Sequence, residues 1–278
     1  MARLLIFGLG YSASHLAGRV RALGWEVVGT SRSGREGTIA FDDAAAVTAA
    51  IGRATHILSS VPPDDAGDAV LAHYGAALSA SGAWLGYLSS TGVYGDTGGA
   101  WVDESAPIGG RRPARNAADA AWLGLGARVF RLPGIYGPGR SALDRVRAGT
   151  AHRVELAAQV FSRVHVDDIS SGVIAAFSGP PGAYNLADDQ PASQNAVIEH
   201  AARLLGLDPP PLVRLASLSA MARGFYAENR RVANGKARRL LGWRPAYPDY
   251  RVGLGALNAM TSPASASNAP ATATADQR

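Results

Sequence analysis

Near the start of the chain, Gly8, Gly10 and Ala13 stand in the spacing G-x-G-x-x-A, directly after the apolar run Leu4-Leu5-Ile6-Phe7. Glycine at the first position permits a tight turn. At the second it lets backbone approach a pyrophosphate with no Cβ in between, and a small third residue lets a helix pack closely on a sheet. The chemistry on offer is anion binding, because phosphates meet the free N–H groups at the positive end of the following helix. That assigns Gly8, Gly10, Tyr11, Ser12 and Ala13 to the pyrophosphate of a dinucleotide. About 20 residues further on, a cofactor with a free ribose 2′-hydroxyl usually meets an acid. This chain has Ser31, Arg32, Ser33 and Arg35 there instead. Guanidinium and hydroxyl groups suit a 2′-phosphate, so Ser31, Arg32 and Arg35 predict NADP(H), with NAD(H) as the alternative.

The elements that must hold these residues are legible in the apolar pattern. Leu16, Val20 and Leu23 recur at helical spacing until Gly24, and Val27-Val28 begins a second strand, which completes a βαβ unit. Thr38 to Phe41 reads as a short strand ending at Asp42, a residue placed either near an adenine or at the cap of the next helix, Asp43 to Ile51. Thr55 to Ser60 is the fourth strand, closed by Val61-Pro62-Pro63; Ser59, Ser60 and Val61 would run along the ribose. A helix over Asp68 to Ala80 and a fifth strand over Ala83 to Leu88 follow. The fold class is α/β, a Rossmann-like doubly wound parallel sheet.

Composition narrows the partners. With 278 residues and 47% hydrophobic content the chain can bury a sizeable core. It has no cysteine, which excludes disulfides, thiolate metal sites and cysteine nucleophiles. The net charge of +5 is spread along the chain with no basic patch interleaved with aromatics, so no nucleic-acid partner is expected. No apolar run approaches membrane-spanning length, and the first residues lead straight into a core strand, so no membrane partner is expected and the expected location is the cytoplasm. From Thr261 to Arg278 the chain is Ala, Ser, Thr, Pro and Asn without apolar periodicity, as in a disordered tail.

Five further segments carry a resemblance. Ser89-Ser90-Thr91-Gly92-Val93-Tyr94-Gly95 resembles the S-S-x-x-V-Y-G of the extended short-chain dehydrogenase/reductase superfamily, the epimerase and dehydratase branch. Arg131 to Arg140 (RLPGIYGPGR), Phe161 to Ile169 (FSRVHVDDI), Gly182 to Asp188 (GAYNLAD) and Lys236 to Pro245 (KARRLLGWRP) match its later segments in order. The resemblance implies a dinucleotide-binding domain over 1–132 plus 165–180, a smaller C-terminal substrate-binding lobe over 133–164 plus 181–258, and a tail over 261–278. It further implies Ser89 beside the cofactor, Pro133, Gly134 and Ile135 at the nicotinamide edge, a small-molecule substrate such as a sugar nucleotide, and a homodimer.

That superfamily works with a Ser or Thr, a Tyr and a Lys; the tyrosine moves a proton and the lysine holds the ribose. Ser90 falls at the first position. At the other two, which lie four apart on one helix, the chain has Arg111 and Arg115. The one lysine, Lys236, belongs to a later helix, and no tyrosine lies between Tyr94 and Tyr136. Arg115 could bind the ribose, but a guanidinium stays charged at every working pH and donates no proton. The candidate catalytic set is therefore Ser90, Arg115 and Tyr94, with Tyr136, His165 or water held by Ser90 as other proton donors. Arg111, Arg112, Arg115 and Arg140 are candidates to line an anion-binding cleft. His165, Asp167 and Asp168 read as a helix start, with the two carboxylates capping it, and no metal site is assigned. Two functions fit: an NAD(P)-dependent oxidoreductase or epimerase-like enzyme with an altered acid–base set, or a non-catalytic NADP(H)-binding sensor or scaffold.

Overall fold

The computed structural model describes residues 1–261 except 36 and 157. The first half alternates strand and helix: β1 (Arg3–Phe7), α1 (Tyr11–Ala22), β2 (Glu26–Ser31), β3 (Thr38–Ala40), α2 (Ala44–Arg53), β4 (His56–Ser59), α3 (Ala69–Ala80) and β5 (Trp84–Ser90). A 3₁₀ turn over Thr91–Tyr94 leads to β6 (Trp101–Val102), α4 (Pro113–Gly124) and β7 (Arg128–Leu132). Next come β8 (Gly134–Tyr136), α5 (Ala142–Arg147), β9 (Arg153–Glu155), β10 (Arg163–His165), α6 (Val166–Ala175) and β11 (Gly182–Asn185). The chain closes with α7 (Gln194–Leu204), β12 (Leu212–Arg214), α8 (Ala220–Tyr226), β13 (Arg231–Val232), α9 (Gly235–Leu241) and α10 (Tyr250–Thr261). Of the expected tail, Thr261 is the last residue of α10, and 262–278 lie outside the described residues.

Seven strands form one sheet in the order β11-β7-β5-β4-β1-β2-β3, every pairing parallel. A parallel sheet must be covered on both faces, and β1 shows how the sequence meets that need. Leu4 and Ile6 pack with Leu16 and Val20 of α1 and Ile169 and Val173 of α6. Leu5 and Phe7 face the other way, toward Val47 and Ile51 of α2, Val70 and Leu78 of α3 and Trp122 of α4. Each such side chain stabilises the fold by roughly 1.5–3 kcal/mol. The order reverses between β1 and β4, which opens a crevice at their carboxyl ends where ligands bind in such sheets.

A separate core lies under α5, α7 and α10, built on Leu143, Val146, Val197, Ile198, Leu254 and Leu257. Gly182–Asn185 departs from the expected lobe assignment: as β11 it extends the central sheet, paired with β7 through Ala183↔Val129 and Tyr184↔Phe130. Its buried Ala183, Tyr184 and Asn185 suit a sheet edge packed against α9, better than a surface lobe.

The segment Phe161 to Ile169 also differs in detail from expectation. The cap of α6 is His165, whose Nδ1 accepts the Asp167 N–H at 3.2 Å. Asp168 is 1% exposed, and its carboxylate accepts the N–H groups of Ala246 (2.7 Å) and Tyr247 (3.1 Å). It thus ties the turn after Trp243 to α6 and does not cap its own helix.

Candidate functional site

The turn from β1 to α1 has the geometry of a phosphate cradle. Gly8 sits at φ +80°, where a side chain is strained, and a Cβ on it would stand 3.0 Å from Val61 Cγ2. Nothing lies within 4 Å of where a Cβ on Gly10 would be. Gly10 is the N-cap of α1, with no side chain capping it and no acid in the first turn. The first amides of α1, those of Tyr11, Ser12 and Ala13, are therefore left for an anion. Ala13 is buried against the sheet and Ser60 Oγ donates to Gly8 O at 2.5 Å, so β4 braces the turn from below. These residues fit a dinucleotide pyrophosphate. Ser59, by contrast, is fully buried behind the turn. Gly29 on β2 also serves the turn: a Cβ there would collide with Leu9 Cδ1 and Cγ.

At the end of β2 the hydroxyls are already committed to one another. Thr38 Oγ1 donates to Arg35 O (2.6 Å), Arg35 N–H donates to Ser31 Oγ (3.1 Å), and Ser31 and Thr38 share a hydrogen bond of 2.7 Å. With the Thr38 proton used, Ser31 is the donor in that pair, so its hydroxyl proton is spent on the loop. Arg35 Nη2 donates to Leu9 O at 2.8 Å, which lays its guanidinium against the glycine turn, and Arg32 is exposed. The free charge at this end comes from Arg32 and Arg35, and Ser31 shapes the loop. Asp42 is exposed just beyond β3, and Asp43 performs the capping of α2, accepting the Ala46 N–H at 3.0 Å.

On β5 the two serines part company. Ser90 is half-buried and accepts the Gly92 N–H at 3.0 Å, which fixes its Oγ while leaving its proton to donate. Ser89 turns the other way and donates to Asp119 Oδ2 at 2.6 Å in the interior, so its side chain does not face a cofactor. Asp119 also pairs with Arg131 (2.7 Å), and Arg131 Nη1 donates to the Tyr94 hydroxyl (3.0 Å), which in turn donates to Asn185 Oδ1 (2.8 Å). Tyr94 is 4% exposed with its hydroxyl saturated, and burial raises its pKa against the pull of Arg131. It is a structural residue, and the expectation of a catalytic Tyr94 is corrected.

The other proton donors fare no better. Tyr136 lies in the core under α10 against Gly253, and burial raises its pKa further still. His165 is 1% exposed, spends Nδ1 on the α6 cap, and is pushed down to about 4 by burial. Pro133, Gly134 and Ile135 bracket the start of β8, which pairs with β10, and Gly134 is exposed. Tyr11 ties this region to the cradle: its hydroxyl donates to Pro138 O at 3.1 Å, and the Arg140 guanidinium lies 5.5 Å over its ring.

Arg111, Arg112 and Arg115 line one open cleft of about 350 Å³, facing Pro63, Asp64 and Asp65; Arg140 is not among its walls. Arg115 Nη1 donates to the Tyr87 hydroxyl at 3.1 Å, and Tyr87 stacks on Trp122 with ring centroids 5.4 Å apart. Burial pushes that phenol up to about 12, with Arg115 opposing. Arg111 pairs with Glu228 at 2.5 Å, and Glu228 also holds Arg230 at 2.6 Å. Tyr87, Glu228 and Arg230 were silent in the sequence, since they lie outside every motif and meet the site only through folding.

The fold is the one found in solved epimerase and dehydratase structures. The chain belongs to one family with a functionally unknown conserved protein from Silicibacter pomeroyi DSS, 41% identical over 94% of this chain and 99% of that one, with a TM-score of 0.83. A curated relative, a 3-diazoavenalumate denitrifying reductase from a Streptomyces species, is 38% identical over 47% of this chain and 47% of its own. The chain spans about half the length of the curated relatives it matches. The fold recurs in the ADP-L-glycero-D-manno-heptose-6-epimerase of Helicobacter pylori, 17% identical over 93% of this chain and 96% of that one, with a TM-score of 0.76. It recurs too in MoeE5 bound to UDP-glucuronic acid and NAD, 18% identical over 94% of this chain and 99% of that one, with a TM-score of 0.75. No family model matches the chain. Among the described residues no helix is long and apolar enough to cross a membrane.

Proposed function

We propose that this protein is an NADP(H)-dependent reductase of a small anionic substrate, working without a tyrosine general acid. One observation carries the reading: an intact glycine cradle accompanies a cleft lined by Arg111 and Arg115, the residues that the resemblance aligns with the superfamily's tyrosine and lysine. Gly8, Gly10 and the first amides of α1 would hold the pyrophosphate, Arg32 and Arg35 the 2′-phosphate, and Pro133, Gly134 and Ile135 the nicotinamide edge. A reduced nicotinamide, when bound, supplies a hydride. Ser90 donates a hydrogen bond to the substrate, and Arg115, held by Tyr87, supplies fixed positive charge.

Epimerisation and dehydration of a sugar begin by taking a proton from a hydroxyl, which needs a base with an accessible titrating group. Tyr94, Tyr136 and His165 are all buried, and the Tyr94 hydroxyl and His165 Nδ1 are also engaged in the interior, which speaks against those reactions here. Reduction of a substrate that is already electrophilic needs less. Where the leaving group departs as a neutral molecule, as dinitrogen does when hydride replaces it on an arenediazonium carbon, the products are the reduced ring and dinitrogen and no side chain has to supply a proton. The relative named a denitrifying reductase supports this reading.

The test is NADPH binding, followed by NADPH oxidation against carboxylate-bearing diazo and carbonyl compounds with sugar nucleotides in parallel. Turnover of the anionic electrophiles, lost in Ser90→Ala, is expected. Epimerised or dehydrated sugar nucleotide would refute the reading, and tight NADPH binding with no turnover on the whole panel would leave the sensor in its place.

A further inference from the structure

Glu228 is held as a bound ligand would be. Its Oε1 accepts Arg111 Nε at 2.5 Å and its Oε2 accepts Arg230 Nη1 at 2.6 Å, so each oxygen meets a different guanidinium, and the side chain is only 12% exposed. The two arginines come from distant parts of the chain, Arg111 from just before α4, where it lines the cleft, and Arg230 from just before β13. Arg230 also borders the serine. Its Nη2 lies 4.0 Å from where a Cβ on Gly92 would stand, and Ser90 Oγ lies 3.2 Å from the same point. We propose that Arg111 and Arg230 form an oxyanion subsite for the carboxylate or phosphate of the substrate, and that Glu228 fills this subsite until that group displaces it. Identifying the oxyanion with the substrate rests on the functional reading above; the subsite itself does not.

The anchoring around Glu228 allows such an exchange. The backbone there is pinned: Gln159 Nε2 donates to Glu228 O (2.8 Å), Asn229 N–H to Asp96 Oδ1 (2.9 Å), and Asn229 Nδ2 to Ala158 O (2.9 Å). Only the Glu228 side chain has to rotate away. Arg111 stays oriented through Nη2 on Gly224 O (2.8 Å) and Arg230 through Nη1 on Gly95 O (2.5 Å), so the donors persist when the carboxylate leaves. Arg111 Nη1 and Arg230 Nη2 make no hydrogen bond among the described residues, which leaves donors for a third oxygen. Two guanidiniums against one carboxylate also leave a net positive charge that attracts an anion. Burial pushes the Glu228 carboxyl up, but hydrogen bonds from Arg111 and Arg230 together outweigh this and hold it below the usual range. It therefore competes as a carboxylate at neutral pH, and a tethered competitor raises the affinity an outside anion must have.

The test is calorimetric titration of the protein, without nucleotide, with inorganic phosphate and separately with benzoate. Glu228→Gln is expected to bind one of them at least tenfold more tightly than the wild type, and the preferred probe tells a phosphate substrate from a carboxylate one. Adding Arg111→Gln or Arg230→Gln to Glu228→Gln is expected to abolish the gain. Equal affinity in wild type and Glu228→Gln for both probes, or a gain that survives loss of either arginine, would overturn the proposal. If Glu228→Gln fails to fold, NMR of the wild type decides. Either probe at saturation should shift the side-chain carboxyl resonance of Glu228, and an unchanged resonance with both refutes the subsite. Neither arm uses NADPH, so oxyanion binding without any reductive turnover would sink the functional reading alone.

Discussion

Asp119→Ala should be the most damaging single change behind the site. Asp119 and Arg131 are 1% and 4% exposed at the side chain and meet at 2.7 Å, with a second contact from Arg131 Nε at 3.2 Å and a third from Ser89 Oγ at 2.6 Å. Truncating the acid strands a guanidinium in the interior and robs Ser89 of its acceptor. Breaking a buried pair from one side costs about 3–5 kcal/mol, against a total stability of roughly 5–15 kcal/mol. At roughly 2–4 °C per kcal/mol for a domain of this size, the midpoint of thermal unfolding should fall by about 6–20 °C. Arg131 still has Tyr94 to bond, so the lower part of the range is the firmer expectation. The double variant Asp119→Leu with Arg131→Met removes both desolvated charges and should recover part of the loss, a coupling that denaturant unfolding of the four proteins would measure. A cost below about 1 kcal/mol for Asp119→Ala, the value of an exposed pair, would refute the buried-network reasoning. So would a double variant whose loss equals the sum of the two singles.

Three further outcomes follow from the same geometry. Tyr94→Phe removes one hydroxyl between Arg131 and Asn185 and should lower stability by about 1–2 kcal/mol while leaving kcat within a few-fold; a drop as large as that of Ser90→Ala would restore Tyr94 to the chemistry. Arg32→Ala with Arg35→Ala should weaken NADPH binding by at least about tenfold, from the loss of charge-assisted contacts, and leave NADH binding nearly unchanged, whereas equal loss for both nucleotides would show that the arginines do not meet a 2′-phosphate. His165 should titrate in NMR near its lowered pKa of about 4. Because the folded value lies below the unfolded one of about 6.5, its contribution is complete above pH 6.5 and is lost as pH falls toward 4, worth about 3 kcal/mol; a His165 that protonates near pH 6.5 would contradict the buried cap.

What could be read from the chain was whatever is local. The glycine spacing, the alternating apolar runs and the order of strands are short-range patterns, and β1, α1, β2 and the cradle stand where those patterns put them. The errors all come from side chains whose partners are distant in sequence. Ser89 and Ser90 are neighbours of the same type, yet the pleat sends one to Asp119, 30 residues away, and leaves the other half-buried at the end of β5. Tyr94 looked reactive because tyrosine at a strand end can be, and only Asn185, 91 residues on, shows that its hydroxyl is spent. Gly182–Asn185 went to the wrong part of the molecule because an edge strand carries no mark of the sheet it joins.

On the proposed reading, an arginine where the superfamily has its tyrosine changes more than one proton. A phenol at that position is neutral and needs no counter-charge, whereas Arg111 brings a permanent cation to the mouth of the cleft. That cation is neutralised by Glu228, which reaches it from the far end of the chain, 117 residues away, and in doing so draws the segment after α8 across toward α4. Arg115 likewise finds a partner in Tyr87, so both substituted positions are built into the structure around them. Arg111 keeps about half of its side chain in solvent while Glu228 holds its Nε, and Arg115 is bonded to a neutral phenol, so both cations are oriented with charge to spare, as the proposed anion-binding site requires.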